Sequence, residues 1–409
     1  MSIFIKNIQL NGLVTHIKIE GNRFSKIRTD ATPSTSDTII DGTDKAILPP
    51  FYNTHTHSPM SLLRGYADDL PLFTWLNDYI WPFEAKLTPD DIYIGTRLSI
   101  LEMIKSGTVF FNDMYWKEEA TIRAAKEMGI RAAIGIFAID SLGLKDIDQK
   151  SSGANKQLSD APLIQMTISP HAIYSTNKAE FQRCAEVAKE YNWVLHTHVS
   201  ETKKEVDDCL KEQECTPIEL LEKYGVLDCP KVILAHAVHI TENDMEIISK
   251  HGSVISHNPI SNMKLSSGYF PIQEALDKGC KITLGTDGCS SNNNQDMREE
   301  MKFASIRAKE KYGAESIPVS TIFEMATKNG AEAFGLDAGE IKEGKLADAL
   351  LIDLNNERMV PCHHLLSNWV YAANSECIDT VICNGRILMQ NRHVDGEEEI
   401  IQSVKKRYK

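Results

Sequence analysis

The chain has 409 residues, a formal net charge of −13, and 42% apolar and 25% charged residues. That is an ordinary globular composition with room for one large domain and a smaller module, and its acidic balance argues against nucleic acid or an anionic membrane surface as partner. No run approaches the ~20 apolar residues of a spanning helix. The N-terminus lacks a signal-peptide layout, and the nine cysteines form no Cys-x-x-Cys pair, so free thiols in a cytoplasmic setting are expected.

Residues 4–8 and 14–19 are rich in β-branched side chains with partial alternation, and Gly21-Asn22 marks a turn. The same texture returns at 349–353 and 380–387, where Asn384-Gly385 marks a hairpin. The termini are therefore expected to build one small β module from residues 1–48 and 340–409, around a catalytic domain at 49–339. The apolar run Ala46-Ile47-Leu48 reads as the strand leading into His55-Thr56-His57. Thr88-Pro89-Asp90-Asp91 opens a helix whose apolar stripe is Ile94, Leu98, Leu101 and Ile104, and Gly107 stops it.

Further strands are expected at 108–112, 131–137, 163–168, 193–198, 232–236, 253–257 and 281–286. Helices are expected at 117–128, 177–191, 242–251, 270–278, 296–311 and 319–334, with the polar, Ser-rich stretch 146–160 as a loop. Eight strands separated by helical patterns predict a (β/α)8 TIM barrel. A doubly wound sheet would want a Gly-rich phosphate loop after an early strand, and there is none.

Functional residues of such a barrel gather at the C-terminal ends of its strands. Those ends carry His55 and His57, Asp113, His171, His198, His236, His257 and Asp287, more histidine than core packing explains. His55 and His57 sit two apart on a strand and point to one side. With His198 and Asp287 they offer three nitrogens and one oxygen to a divalent ion, with a position left for water. The fourth strand ends in Ser169-Pro170-His171, without a lysine to bridge two metals, so a single metal is expected. Glu201 follows His198 closely enough to reach the same pocket, and His236 is placed to hydrogen-bond a water on the ion. His239 and His257 are expected to support these groups or to be structural. His196 is expected to fill the interior, and Phe73, Trp75, Trp81 and Leu62 are given no role.

The segments Asn53-Thr54-His55-Thr56-His57-Ser58-Pro59-Met60, Ser169-Pro170-His171, His198-Val199-Ser200-Glu201-Thr202, Ser256-His257-Asn258-Pro259 and Gly285-Thr286-Asp287-Gly288 resemble the amidohydrolase superfamily. Within it they are similar to the 5-methylthioadenosine/S-adenosylhomocysteine deaminases and the related triazine hydrolases. The resemblance implies an amidohydrolase-type barrel with a small β-sandwich from both termini. It also implies a zinc ion per subunit, with iron or manganese as alternatives, on His55, His57, His198 and Asp287. Glu201, His236 and Asp287 would do the chemistry, Glu84 would hold ribose hydroxyls, and His171 and Glu201 would contact substrate.

The implied activity is hydrolytic deamination of an aminopurine nucleoside by a homo-oligomer. Adenosine, 5′-methylthioadenosine and other 5′-modified adenosines are the expected substrates. A triazine, guanine, pterin or cytosine substrate remains the alternative, and an inactive assembly scaffold the alternative of another class. Two features depart from the family pattern. Pro50 replaces a common glycine, and between Ile134 and Asp160 there is no arginine, only Lys145, Lys150 and Lys156. A flexible point charge is a poor substitute for a bidentate fork, so carboxylate-bearing S-adenosylhomocysteine is the less favoured substrate.

Overall fold

The computed structural model describes residues 2–140 and 147–408. In chain order, β1 (Ser2–Leu10), β2 (Leu13–Glu20), β3 (Arg23–Arg28), β4 (Asp37–Asp41) and β5 (Lys45–Leu48) join β14 (Ala349–Asp353), β15 (Ile378–Cys383) and β16 (Arg386–Met389) in one mixed sheet. The sheet folds over a core that includes Ile3, Ile5, Ile17, Phe24, Ile47, Leu351 and Ile382. Its two predicted turns meet: Asn22 Nδ2 donates to Asn384 Oδ1 at 3.1 Å, and a Cβ at Gly385 would lie 2.2 Å from the Gly21 carbonyl. Only glycine fits there, and its φ is +71°.

The second sheet is the barrel, with β6 (Phe51–Thr56), β7 (Thr108–Asp113), β8 (Arg131–Ala138), β9 (Ile164–Pro170), β10 (Val194–Val199), β11 (Lys231–His236), β12 (Val254–His257) and β13 (Lys281–Leu284) paired in sequence order and parallel. β13 returns to β6 through Thr54 Oγ1, which donates to the Leu284 carbonyl at 3.0 Å, and the Asp287 amide, which donates to the His55 carbonyl at 3.0 Å. The expected (β/α)8 barrel with a β unit from both termini is therefore the fold.

Several elements differ from expectation. The run Ala46–Leu48 belongs to the mixed sheet, where it pairs with β14. Pro49-Pro50 interrupts the chain and the barrel begins at Phe51, because a proline cannot donate to a ladder. Ile147–Gln157 is a helix followed by a turn at Leu158–Asp160, not a loop. Ser151 and Ala154 are buried there, so burial of small residues outweighs the weak helix propensity of a Ser-rich segment. The stretch 319–334 is two helices broken at Thr327, whose Oγ1 bonds back to the Phe323 carbonyl at 2.7 Å.

The helix Pro89–Ser106 carries the expected cap and ends at Gly107, in the left-handed region at φ +94°. Its buried face runs through Ile92, Thr96, Ser99 and Met103 as well as Leu101 and Ile104, leaving Ile94 and Leu98 only half-buried. The C-terminal helix Glu397–Arg407 is tied along its flank by Arg97–Glu399 (2.6 Å), Lys105–Glu397 (2.7 Å) and Arg407–Asp91 (2.7 Å).

The mixed sheet is bolted to the barrel on the side opposite the strand C-termini. At its centre the buried Arg131 and Asp348 meet at 3.2 Å; Tyr52 Oη donates to Asp348 at 2.8 Å and the Asn384 amide donates to it at 2.5 Å. Removing one member of a buried pair strands the other charge. Asp348→Ala should therefore lower the unfolding free energy by about 3–5 kcal/mol in denaturant titrations, whereas Arg131→Met combined with Asp348→Leu should recover most of that loss.

Candidate metal centre and active site

The donor atoms converge because each lies where a barrel strand ends. His57 Nε2 and His55 Nε2 are 3.2 and 3.4 Å from Asp287 Oδ1, and His198 Nε2 is 3.3 Å from His57 Nε2. A tetrahedral ion with bonds of about 2.0–2.1 Å has ligand–ligand edges of roughly 3.3 Å, so this spacing suits a cation. His55 Nε2 is fully buried and makes no hydrogen bond of its own, which is costly unless the position takes a ligand. The four side chains therefore fit a divalent metal.

The far nitrogen of each ring is held. His57 Nδ1–H donates to the Met114 carbonyl at 2.6 Å and His198 Nδ1–H to the His171 carbonyl at 3.0 Å, which leaves both Nε2 lone pairs facing the centre. His55 Nδ1 is 2.9 Å from His196 Nε2, and His196 Nδ1 is 2.9 Å from the Asn112 side-chain amide. His196 is interior, as its parity predicts, but filling space is not its whole part: it stands against the far nitrogen of His55. Asp287 Oδ2 accepts from Ser261 Oγ at 2.6 Å and Ser291 Oγ at 3.1 Å, while the Gly288 amide donates to Oδ1 at 2.7 Å.

The chain is bent hard to reach these positions. Asp287 and His236 sit in the left-handed region at φ +60° and +72°, as does Ser200 at +50°. Such conformations cost about 1–3 kcal/mol in a non-glycine residue and persist only where the surroundings enforce them. Gly285 is needed for close approach: a Cβ there would lie 2.5 Å from Asn258 Oδ1 and 2.9 Å from the Cβ of His55.

Above the centre lies a cavity lined by His57, His198, Asp287, His236, Glu201, His171 and Glu84 among apolar groups. His236 Nε2 is 3.9 Å from Glu201 Oε2 and 4.0 Å from Asp287 Oδ2, and its Nδ1–H donates to Asn262 Oδ1 at 2.8 Å. Burial raises the Glu201 carboxyl above the usual carboxylate range; the Asp287 charge adds to this against the pull of His236. Burial also pushes Glu84 up to about 7, although the Tyr115 hydroxyl donates to its Oε1 at 2.6 Å. His171 falls to about 3 for the same reason, so its ring is neutral, and its Nδ1 is 2.7 Å from Ser175 Oγ.

The segment after His57 roofs the cavity: a 3-10 turn (Ser58–Leu63), a short helix (Leu72–Thr74), a π-helical turn (Trp75–Ile80) and a turn ending in Glu84. It contributes Met60, Leu72, Trp75, Leu76 and Trp81 to the lining; Phe73 and Leu62 are not part of it. Asp113 accepts from the Ser58 amide at 2.6 Å and fixes the start of that roof. His239 donates to the Ser267 carbonyl at 2.6 Å, and His257 packs on Phe270, so neither joins the cavity. Sequence reasoning missed Tyr115, Asn262 and Ser261. Tyr115 had the one readable signal, two positions past the end of β7.

The amidohydrolase family model matches residues 46–388. The chain belongs to the amidohydrolase family. It is 42% identical over 412 residues to 5-methylthioadenosine/S-adenosylhomocysteine deaminase 1 of Archaeoglobus fulgidus, covering 99% of this chain and 97% of that one. It is 41% identical over 397 residues to a 5′-deoxyadenosine deaminase of Methanosphaera stadtmanae, covering 95% and 93%. A solved zinc-bound adenosine deaminase from Xanthomonas campestris superposes with a TM-score of 0.92 at 30% identity, covering 99% and 97%. Family and His/Asp centre together make this amidohydrolase a metal-dependent hydrolase of the deaminase type. Among its described residues no helix is long and apolar enough to cross a membrane.

Partners behind metal-bound histidines usually contribute about 10–100-fold to metal affinity. His196→Ala should therefore weaken metal binding by that factor in chelator competition, whereas His198→Ala, which removes a donor, should abolish stoichiometric binding.

Proposed function

We propose that this amidohydrolase is a zinc-dependent hydrolytic deaminase of adenosine nucleosides whose 5′ substituent is neutral, such as 5′-deoxyadenosine or 5′-methylthioadenosine. The observation that carries the reading is the order of groups along one cavity. Its lining includes His57, His198 and Asp287 with His236 and Glu201, and also the buried Glu84 at the end of the roof segment, whose Oε1 accepts from the Tyr115 hydroxyl. A purine ring at the floor would set its sugar towards Glu84, which can accept two hydroxyl hydrogen bonds.

His55, His57, His198 and Asp287 would hold one zinc ion, which when bound lowers the pKa of water towards ~7 and so makes hydroxide available at neutral pH. Asp287, with Oδ2 held by Ser261 and Ser291, takes up the proton that water releases. His236, oriented by Asn262, steadies the attacking oxygen and the charge that develops on the ring substituent. Burial raises the Glu201 carboxyl, which favours its protonated form; once protonated with substrate in place, it donates to the neighbouring ring nitrogen, so the carbon becomes electrophilic. Asp287 then returns its proton to the departing amine, and as the C–N bond breaks the hydroxyl proton of the adduct passes back to Glu201. Ammonia and the 6-oxo nucleoside are the products.

Substrate choice is read from the walls. No arginine or lysine lines the cavity among the described residues. Lys150 and Lys156 line a separate surface groove with Glu118 and Glu119, and Lys145 lies outside the described residues. Trp116, Phe137, Trp81 and Met114 offer apolar surface instead. An unpaired carboxylate there would be costly, so S-adenosylhomocysteine should be the poorer substrate.

Ammonia release measured across adenosine, 5′-deoxyadenosine, 5′-methylthioadenosine, S-adenosylhomocysteine, guanine and cytosine checks the assignment. The nucleosides with neutral 5′ groups should give the highest kcat/KM; a preference for guanine or cytosine would overturn it. Because the protonated Glu201 is the active form and its pKa is raised, kcat should fall as pH rises through that value and hold below it until Asp287 is affected. Glu201→Gln should lower kcat by ~10²–10⁴-fold with the metal retained. Glu84→Ala should act chiefly on KM for nucleosides.

A further inference from the structure

Among the described residues, four helices begin on a threonine cap with an acid three positions on: Thr88/Asp91, Thr202/Glu205, Thr216/Glu219 and Thr241/Asp244. In three of them the acid turns back on the cap itself. The amides of Thr88, Thr216 and Thr241 donate to Asp91, Glu219 and Asp244 at 2.9, 2.9 and 2.8 Å, completing a reciprocal cap. Glu205 departs from this. Thr202 Oγ1 still accepts from its amide at 3.2 Å, but the carboxylate reaches past the cap. Its Oε1 takes the Ser200 amide at 2.9 Å and its Oε2 the Glu201 amide at 2.8 Å.

These two consecutive amides face one buried carboxylate because Ser200 adopts φ +50°, a turn that aims successive N–H groups the same way. Burial pushes the Glu205 carboxyl up to about 7 against the pull of these two amides, and leaving a buried amide without an acceptor is costly whichever form the acid takes. The same turn is braced from the other side. The His239 amide donates to the Ser200 carbonyl at 2.9 Å, and Ser267 Oγ donates to Glu201 Oε1 at 3.4 Å.

We propose that Glu205 is a positioning residue for deamination: its carboxylate clamps the backbone at 200–201 so that the Glu201 side chain meets the substrate ring. A general acid must be held to within about 0.5 Å of its target, and Glu201 lies beyond the end of β10, where no ladder bond fixes it. The helix Lys203–Gln213 gives up the second half of its own cap to provide that constraint.

The inference rests on the deaminase reading, and two measurements on the metal-loaded protein keep their failures apart. Glu205→Gln turns an amide donor towards one of the two N–H groups; it should lower kcat about 10–100-fold while KM and bound metal stay within about threefold. Glu205→Asp, which keeps the carboxyl group but withdraws it by one methylene, should fall between wild type and Glu205→Gln. Glu219→Gln, which breaks an ordinary cap, should leave kcat unchanged. Independently of any activity, amide hydrogen exchange of residues 199–202 should accelerate in Glu205→Gln and not in Glu219→Gln. Absence of ammonia release from the wild type would remove the functional reading, and the exchange result would still decide the clamp. Unchanged exchange at 199–202, kcat within twofold of wild type, or loss of metal in step with kcat would overturn the proposal.

Discussion

The hydrogen bond from the Asp287 amide to the His55 carbonyl closes the barrel and completes the metal centre in one step. β6 and β13 are the first and last strands of the parallel sheet, and they come together only if every strand between them keeps its register and tilt. When they do, a carboxylate from residue 287 arrives beside imidazoles from residues 55 and 57. The fourth donor, His198, comes from half-way round the ring. A metal held by these four side chains would therefore staple the two ends of the sheet together, and binding energy would add to folding energy.

That arrangement divides the molecule into two kinds of polar interior. On the face away from the cavity, Arg131, Asp348, Tyr52 and Asn384 hydrogen-bond one another and serve assembly of the two sheets. On the cavity side, His55 Nε2, Glu201 and Glu84 keep unused bonding capacity in dry surroundings, where electrostatic interactions are stronger than in water. Raised carboxyl pKa values at Glu201 and Glu84 follow from that dryness and would be absent at a solvated rim. Their environments are chemically similar, but their neighbours differ. Glu201 stands near His236 and Asp287, while Glu84 stands with Tyr115 and tryptophans, and on the proposed reading this separates a proton donor from a hydroxyl acceptor.

The barrel and its rim were legible in the sequence because strand ends carry their chemistry locally: two histidines of one parity, or an aspartate after an apolar run, survive any error of a residue or two in boundaries. Contacts made across the ring were not legible. His196 has the same parity and texture as a core residue, and only the tertiary pairing with His55 shows what it does. The roof from Ser58 to Glu84 also left no periodic trace, since its turns are short and one is π-helical, so Trp75 and Trp81 could not be told from core aromatics. The misplacement of Ala46–Leu48 has a plain cause. A short apolar strand looks the same whichever sheet it joins, and the Pro49-Pro50 break that decides the matter is a backbone effect two residues away.

The reaction type and the substrate are thus encoded in different parts of the chain. Hydrolysis at a ring carbon depends on side chains at the ends of strands spread around the whole barrel, each tied to the next by the sheet, so a change at any one disturbs the others. On the proposed reading, substrate fit depends on the roof segment, on Trp116 just beyond β7 and on Phe137 near the end of β8, which offer apolar surface to the cavity. Selection can alter such walls without disturbing the donors. On that reading, the apolar lining, more than the ligand set, would decide which 5′ group is accepted.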